Sequence, residues 1–324
     1  MKRKVILTQK YQDKAIRQLK EAFNLIIVED SGKSLEQVLR ENPDAEALIS
    51  FLSDKIDKNM IHLGKNLKII ANYAVGYNNI DVNYACEKGI AVTNTPDILT
   101  NATADFTMAL MLAVCRRVVE GDEWVRQGNF NGWGANLMLG KELNGSILGI
   151  VGLGRIGLAT AVRARGFGLK ILYYDTTRKS QMEREYGFEY MPFQDLVRQA
   201  DIVTLHVPSS PETYHLFNKE VFDQMKRDAV FINASRGDLV DETYLAEKLQ
   251  KNESFGAGLD VYEYEPTVTE KLKKLKNVVL APHLGSATYK ARMGMAQMTI
   301  DNVKQVFAGA TPQNLVQECK TLGE

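Results

Sequence analysis

Short apolar runs alternate with amphipathic segments from the beginning of the chain. The apolar runs are typical of buried strands, and the segments between them have helical spacing. The first strand-like runs are KVILT, NLIIVED, ALISF, LKIIANY and AVTN. Strands that alternate with helices predict a parallel sheet covered by helices.

A second series of strand-like runs begins at Ser146. These runs are SILGIVGLG, KILYYD, DIVTLHVP, AVFINAS, GAGLDV and NVVLAPH. They are apolar almost throughout, as a sheet covered on both faces requires. Between the two series, residues 102–128 are predicted to form one long and largely covered helix. A last helix is expected at about 289–308, followed by a short polar tail.

Length and composition narrow the range of functions. A chain of 324 residues is longer than one core usually supports, so two domains are expected. Hydrophobic residues make up 45% and charged residues 25%, as in ordinary globular proteins. The 40 Lys and Arg balance the 40 Asp and Glu, so no overall field draws the protein to nucleic acid or to an anionic membrane. A small-molecule substrate is therefore expected.

The first residues and the cysteines bear on location and metal binding. The apolar run at 5–7 is too short for a signal peptide or a spanning helix, so a cytoplasmic protein is expected. Cys86, Cys115 and Cys319 form no CxxC pair, and no histidine lies at metal-ligand spacing from them. This pattern predicts reduced, buried thiols and no metal site.

A glycine motif opens the second series of strands. The run ILGIVGLGRIG at 147–157 passes from an apolar strand through GxGxxG into a helix. Gly152 permits the tight turn, Gly154 lets the backbone approach a pyrophosphate, and Gly157 lets helix and strand pack closely. Amides at the helix start then bind the phosphates. The strand, turn and helix together predict a dinucleotide site.

An acidic residue ends the next strand and bears on the choice of cofactor. Asp175 lies eighteen residues beyond Gly157, near the spacing at which a carboxylate reaches the adenosine ribose hydroxyls. Because this carboxylate would repel a 2′-phosphate, NAD is preferred. Arg178 and Lys179 follow, and a basic side chain folding back could accept NADP, so both cofactors stay open.

Three further strand ends hold groups suited to carbonyl chemistry. His283 ends the run NVVLAPH, Arg236 follows FINAS, and Glu265 lies just past GAGLDV. Hydride transfer to a keto acid leaves an alkoxide, and a histidine can supply the proton that it needs. A carboxylate beside the imidazole raises its pKa and fixes its tautomer, while a guanidinium can grip the substrate carboxylate.

The other histidines receive structural interpretations. His62 is expected on a surface helix, and His215 is expected to be solvated in a polar loop. His206 ends a strand at the cofactor edge of the sheet, where it is expected to position the backbone.

These motifs resemble the D-isomer-specific 2-hydroxyacid dehydrogenase family along nearly the whole chain. The resemblance is present at 151–157, 233–237, 256–266 and 277–288. Within the family, residues 72–81, 95–97 and 277–288 look most like the glyoxylate and hydroxypyruvate reductases. The resemblance implies that the protein reduces a small 2-keto acid to the D-2-hydroxy acid with hydride from NADH or NADPH. It also implies a homodimer.

The resemblance also implies the architecture. Two parallel-sheet α/β domains, Rossmann-like and flavodoxin-like, would be separated by an active-site cleft. Residues 1–97 plus 288–324 would form the substrate-binding domain, and residues 98–287 the NAD(P)-binding Rossmann domain.

Individual roles follow from the same resemblance. Arg236, Glu265 and His283 would be the catalytic trio, with His283 as the acid in reduction and the base in oxidation. The amides of Val75 and Gly76 would help hold the substrate carboxylate, which Arg236 and His283 also approach. Leu52 would cover the substrate.

The cofactor site would lie along one edge of the second sheet, where Asp260 would orient the nicotinamide amide. The candidate cofactor-binding residues are Gly152, Gly154, Arg155, Ile156, Gly157, Asp175, Thr103, His206, Val207, Pro208, Thr213, Ala234, Ser235, Asp260 and Ser286.

Alternatives stay open on three points. Another enzyme of the family, such as a D-3-phosphoglycerate, D-lactate or phosphite dehydrogenase, is possible, although residues 72–81 contain no base for a phosphorylated substrate. A dinucleotide-sensing corepressor would share the fold without turnover. The stretch around Trp133 in 128–141 is short where these reductases present an aromatic to the neighbouring subunit, so substrate size is open.

Overall fold

Two parallel sheets organise the protein. The structure, a computed structural model, describes residues 2–321. One unit comprises Met1–Leu99 together with Ala287–Glu324, and the other comprises Thr100–Ser286. We call them unit 1 and unit 2 and number their helices and strands in chain order.

Unit 1 contains a five-stranded sheet. Its strands are β1 Lys4–Leu7, β2 Asn24–Ile27, β3 Ala47–Ser50, β4 Ile69–Asn72 and β5 Ala91–Thr93. Its helices are α1 Asp13–Ala22, α2 Val28–Ser31, α3 Leu35–Glu41, α4 Lys58–Leu63, α5 Val82–Glu87, α13 Tyr289–Phe307 and α14 Gln317–Thr321. The strand order β2-β1-β3-β4-β5 is that of a flavodoxin-like doubly wound sheet.

Unit 2 contains a seven-stranded sheet. Its strands are β6 Ile147–Val151, β7 Lys170–Tyr174, β8 Glu189–Tyr190, β9 Ile202–Leu205, β10 Val230–Asn233, β11 Gly256–Leu259 and β12 Val278–Leu280. Its helices are α6 Thr100–Cys115, α7 Val118–Arg126, α8 Arg155–Gly166, α9 Ser180–Tyr186, α10 Phe193–Gln199, α11 Lys219–Gln224 and α12 Glu242–Lys251, and Gly237–Leu239 and Leu272–Lys274 form 3-10 turns.

The strand order in unit 2 is β12-β11-β10-β9-β6-β7-β8, with every pairing parallel. This is the Rossmann order with one added strand. From β6 the chain adds strands first on one side, as β7 and β8, and then on the other side from β9 onwards, so the topological switch point lies between β6 and β9. Central strands such as β9 and β10 are buried along their whole length, because helices cover both faces. The predicted fold class, two parallel-sheet α/β domains, is confirmed.

The single helix predicted over 102–128 is wrong. The structure has α6 and α7 instead, separated at Arg117, whose φ of 51° lies in the left-handed region. The carbonyl of Cys115 accepts a hydrogen bond of 2.7 Å from the amide of Lys141, a distant partner that the local pattern could not reveal. Neither α6 nor any other helix within residues 2–321 is long and apolar enough to cross a membrane.

The expectation of three reduced thiols is wrong for two of the cysteines. Cys86 on α5 and Cys319 on α14 form a disulfide, with their Cα atoms 5.2 Å apart. They are 233 residues apart in the chain, so sequence spacing gave no signal of the pairing. Cys115 is free and buried, as predicted.

The polar tail expected after the last long helix contains regular structure that pairs with unit 1. Leu315 forms an antiparallel bridge with Thr93, and the amide of Val316 donates to the carbonyl of Val92 at 3.0 Å. The segment therefore continues the sheet of unit 1 before α14 begins, and the disulfide holds it there.

We predict that Cys86→Ser and Cys319→Ser each destabilise unit 1 by about 2–4 kcal/mol, because the bridge limits the freedom of the unfolded chain. Thermal unfolding without reductant should show the loss, and the double variant should lose no more than either single variant. Cys115→Ala is the control that leaves the bridge intact. Three thiols reacting with Ellman's reagent in the unfolded, unreduced wild-type protein would contradict the disulfide.

Candidate active site

The carboxyl ends of the strands in unit 2 lie along one edge of the sheet, since all of the strands are parallel. The residues that lie one to three positions beyond the ends of these strands are Gly152, Asp175, His206, Arg236, Asp260 and His283. The sheet thus brings together polar and glycine residues that are far apart in the sequence.

The glycine turn after β6 is shaped by close backbone approaches. Gly152 has a φ of 94°, and a Cβ there would lie 2.6 Å from the carbonyl oxygen of His206. A Cβ at Gly157 would lie 2.1 Å from the carbonyl oxygen of Gly152. Any side chain at either position would force the turn away from β9 or α8.

Gly154 has a different environment, because a Cβ built on it would meet no protein atom within 4 Å. It is the N-cap of the twelve-residue helix α8 and provides no side-chain cap. Arg155 and the half-buried Ile156 form the first turn of this helix. Open space in front of an uncapped helix start suits an anionic group, so the residues present fit a dinucleotide pyrophosphate.

Asp175 connects the end of β7 to this turn. Its Oδ2 accepts from the amide of Leu153 at 2.9 Å, and its Oδ1 accepts from the amide of Thr177 at 3.1 Å. Lys179 Nζ lies 3.8 Å from Oδ1. The carboxylate is therefore fixed beside the glycine turn.

His283 and Glu265 form a direct pair. Nδ1 of His283 lies 3.0 Å from Oε2 of Glu265, whose Oε1 accepts from the amide of Tyr262 at 3.1 Å. About a third of each side chain is exposed, 34% for His283 and 35% for Glu265. A proton held on Nδ1 by the carboxylate leaves Nε2 as the atom that can give and take a proton.

The backbone at His283 is strained and held in place by Asp260. His283 has a φ of 56°, in the left-handed region that non-glycine residues seldom adopt. Its amide donates to the carbonyl of Asp260 at 2.9 Å, and the Asp260 carboxylate accepts from the amides of Leu284 and Gly285 at 2.6 and 2.8 Å. Asp260 thus fixes the turn that presents the imidazole.

Arg236 is positioned by its neighbours on and beside β10. The buried Asn233 donates from Nδ2 to the carbonyl of Arg236 at 2.7 Å and accepts from the amide of Ser235 at 3.0 Å. A Cβ at the following residue, Gly237, would lie 1.9 Å from both the carbonyl carbon and the carbonyl oxygen of Tyr262. Only glycine lets the Arg236 turn come this close to the loop that contains Glu265.

The charges of the three predicted catalytic residues act on one another. Burial opposes ionisation of Glu265, but its hydrogen bond to His283, with the charges of His283 and Arg236, outweighs burial and holds its pKa below the usual range. Burial lowers the pKa of Arg236, against the opposing effect of Glu265 and Asp238. Glu265 is therefore an ionised carboxylate that contacts the imidazole of His283 and interacts with the charge of Arg236.

Burial also raises the pKa of Asp260, which the Leu284 and Gly285 amides oppose. At His206, burial lowers the pKa to about 4, so the ring is neutral at pH 7. The His206 ring lies 3.2 Å from the Thr204 hydroxyl. The backbone of His206 packs closely on the glycine turn, since its carbonyl oxygen would lie 2.6 Å from a Cβ at Gly152.

The remaining predicted cofactor residues lie around the same edge. Ser235 donates from Oγ to the carbonyl of Val207 at 2.6 Å, which ties the β10 turn, with the half-buried Ala234, to the β9 turn. Thr213 donates to the carbonyl of the exposed Pro208 at 2.8 Å. Thr103 is buried on α6 and packs against Gly285, since a Cβ built on Gly285 would lie 3.3 Å from the Thr103 side chain. Ser286 is the next residue after Gly285.

Two residues that hold the Glu265 loop were missed or misread. The buried Glu242 accepts from the amides of Glu263 and Thr269 at 2.9 and 3.0 Å and was not singled out. His215 was expected to be solvated, which is wrong: its Nε2 lies 2.8 Å from Oε1 of Glu263. Both partners are distant in sequence, and no local pattern pairs them.

The predicted substrate residues lie at strand ends of unit 1. Leu52 follows β3 and is half-buried. The turn after β4 is fixed by two amide side chains, because Asn94 donates to the carbonyl of Val75 at 2.8 Å and Asn72 to that of Gly76 at 3.0 Å. Within residues 2–321 no group of His, Cys, Asp or Glu is arranged to hold a metal ion.

Residues 108–285 match the family model described as D-isomer specific 2-hydroxyacid dehydrogenase, NAD binding domain. The chain belongs to this family. Like other members it is therefore an NAD(P)-dependent dehydrogenase, and the matched range contains the glycine turn, Asp175 and all three predicted catalytic residues. The family predicted from the sequence is confirmed.

Relatives match this dehydrogenase along nearly its whole length. A glyoxylate reductase of Thermococcus litoralis is 46% identical over 323 residues, which cover 98% of each chain. The crystal structure of a Thermus thermophilus protein is 39% identical, with a TM-score of 0.88 over 97% of this chain and 99% of that one. An NADPH-dependent glyoxylate/hydroxypyruvate reductase of Sinorhizobium meliloti, crystallised with NADP and malonate, is 33% identical, with a TM-score of 0.89 over 98% of each chain.

We predict that Gly237→Ala lowers the kcat/KM of this dehydrogenase about 100-fold, because the Arg236 turn and the Glu265 loop must separate and misplace the predicted catalytic residues. Rates of NADH oxidation with a 2-keto acid measure the loss. Gly166→Ala is the matched control, since a Cβ at that helical glycine meets nothing within 4 Å. Unchanged kcat/KM in Gly237→Ala would contradict the role given to this contact.

Proposed function

We propose that this dehydrogenase reduces a small 2-keto acid of the glyoxylate and hydroxypyruvate type to the D-2-hydroxy acid. The observation that carries the proposal is the Glu265–His283 pair, 3.0 Å apart, beside the half-buried Arg236 at the edge of a dinucleotide-binding sheet. Its similarity to the Thermococcus glyoxylate reductase and the Sinorhizobium reductase supports the substrate class.

His283 is proposed as the proton donor. A nicotinamide cofactor, when bound, would supply the hydride for the carbonyl carbon. His283 would give the proton on Nε2 to the carbonyl oxygen. Glu265 would stabilise the imidazolium before transfer and keep the remaining proton on Nδ1 afterwards. In the oxidation direction, the same Nε2 accepts the proton of the hydroxyl.

Arg236 is proposed to bind the substrate carboxylate. A guanidinium offers two parallel N–H donors that match a carboxylate, and partial burial strengthens the interaction. The same charge would polarise the carbonyl as negative charge develops on its oxygen.

Residues 98–287 are proposed as the cofactor-binding domain. Gly152, Gly154, Gly157 and the start of α8 would hold the pyrophosphate, and Asp175 the adenosine ribose. The other residues proposed to line this site are Thr103, Arg155, Ile156, His206, Val207, Pro208, Thr213, Ala234, Ser235, Asp260 and Ser286. We propose NAD as the preferred cofactor because the Asp175 carboxylate is fixed beside the glycine turn, with NADP as the alternative.

Residues 1–97 plus 288–324 are proposed as the substrate-binding domain. Val75 and Gly76 would contact the substrate carboxylate through their amides, and Leu52 would cover the substrate. The Asn72 and Asn94 hydrogen bonds to this turn support a role that needs a fixed backbone. A cytoplasmic location is proposed as well.

A homodimer is proposed through the apolar segment 118–139 of unit 2. Its exposed large apolar residues are Val118, Val119, Trp124, Val125, Phe130, Trp133, Leu137 and Leu139. Trp133 is 87% exposed, and α7 has no buried residue. Exposed apolar surface concentrated in one segment is typical of a subunit interface.

We predict that His283→Ala and Arg236→Ala each lower kcat by a factor of hundreds or more, the range expected for the loss of an acid or of transition-state stabilisation. NADH should still bind, as measured by its fluorescence. His62→Ala, at an exposed position of α4, is the matched control. A 2-keto acid panel measured with NADH and NADPH tests the substrate class. NADH binding without turnover of any 2-keto acid would instead favour a dinucleotide sensor.

We predict that Val125→Glu converts the dimer to monomers at micromolar concentration, because it places a charge in the apolar segment. Sedimentation velocity measures the change. Phe167→Glu replaces an apolar side chain of unit 2 that is 46% exposed outside the segment, and it should leave the dimer intact. A wild-type protein that sediments as a monomer would rule the dimer out.

A further inference from the structure

Both basic residues that follow β7 are paired with carboxylates. Lys179 lies beside Asp175, with 3.8 Å between Nζ and Oδ1. Arg178 donates from Nε to Oε1 and from Nη2 to Oε2 of Glu183, both at 2.8 Å. This bidentate geometry is the one in which a guanidinium holds an anion best.

Glu183 is anchored by the end of the strand itself. The hydroxyl of the buried Tyr173 on β7 donates to Oε1 of Glu183 at 2.7 Å and accepts from the amide of Lys179 at 2.7 Å. The Arg178 guanidinium also lies over the Tyr190 ring, 5.7 Å from its centre. Arg178 is thus held in one direction by a fixed carboxylate and an aromatic face.

The charge on Glu183 persists across neutral pH. Its hydrogen bonds from Arg178 and then Tyr173 lower its pKa to about 2. Because the carboxylate stays ionised, its pairing with Arg178 does not depend on pH in the physiological range.

NADP differs from NAD by a 2′-phosphate on the adenosine ribose, and an arginine near the end of the second strand is what accepts this phosphate in Rossmann domains. Arg178 lies three residues after Asp175, in that region of unit 2. One guanidinium cannot grip Glu183 and a phosphate with the same pair of N–H groups.

We propose that Glu183 determines cofactor specificity by holding Arg178 in a bidentate pair, which withholds the cation that a 2′-phosphate requires and favours NADH. The inference rests on the proposed nucleotide site at the glycine turn and Asp175. The effect of Glu183 differs from repulsion of the 2′-phosphate by Asp175. Glu183 acts through Arg178, so its effect must disappear when Arg178 is removed.

The expected effect is moderate, because Arg178 is largely exposed and exposed ion pairs contribute little. Glu183→Gln should lower the Kd of NADPH roughly three- to tenfold and change the Kd of NADH by less than about twofold. Fluorescence titration of each reduced nucleotide measures both constants. Calorimetry with 2′,5′-ADP and 5′-AMP repeats the comparison on fragments that lack the nicotinamide.

Three variants separate the mechanism from a general change of charge. Glu185→Gln removes a carboxylate two residues away on the same helix α9 and should leave NADPH affinity unchanged. In the double variant Arg178→Gln/Glu183→Gln, the gain in NADPH affinity should be lost. Arg178→Gln alone should not weaken NADPH binding, since Glu183 already occupies the guanidinium in the wild-type protein.

The outcomes decide the proposal even where Glu183→Gln fails to fold. A large loss of NADPH affinity in Arg178→Gln, or an equal gain with and without Arg178, overturns it. A folded Glu183→Gln variant that binds and turns over NADH but shows an unchanged Kd for NADPH would overturn this inference and leave the proposed function standing. Failure of the wild-type protein to bind either nucleotide overturns both this inference and the proposed function.

Discussion

The parallel register of the seven-stranded sheet is the constraint on which the site depends. Because every strand points the same way, the turns that follow β6, β7, β9, β10, β11 and β12 lie at one edge. Residues separated by more than a hundred positions, such as Gly152 and His283, therefore share this edge. The helices that cover both faces bury the strands and leave the turns as the place where polar groups can remain accessible.

Register places the turns, but hydrogen bonds to the backbone orient them. The left-handed conformation of His283 costs about 1–3 kcal/mol. Three backbone amides donate to Asp260, at 2.6 to 2.9 Å. Two of them meet a carboxylate, and such bonds contribute about 1.5–3 kcal/mol each. This stabilisation exceeds the strain, so the sheet edge can keep a conformation that His283 would not adopt in a free peptide.

Much of the fold and the site could be predicted because the signals are local. Strand ends, the glycine turn and the positions of Arg236, Glu265 and His283 follow from patterns within a few residues of each. The break at Arg117, the Cys86–Cys319 bridge and the Glu242 contacts could not be predicted, since each depends on a partner distant in sequence. A local pattern indicates which segments form strands, whereas these partners are fixed only once the strands have assembled.

The loop after β11 shows why residue type alone could not identify the proposed catalytic pair. It contains two glutamates two positions apart, and each meets a histidine with a positive φ: Glu263 pairs with His215 at 2.8 Å, and Glu265 with His283 at 3.0 Å. The Glu263 side chain is only 4% exposed.

Glu265 differs because its histidine follows a strand of the sheet and because the charge of Arg236 acts on it. This combination of imidazole, carboxylate and guanidinium is the one on which the proposed binding and protonation of a keto acid depend. Glu263 also accepts hydrogen bonds from the Tyr214 hydroxyl and the Glu242 amide, both at 3.4 Å, so the first pair stabilises the loop on which the second pair depends.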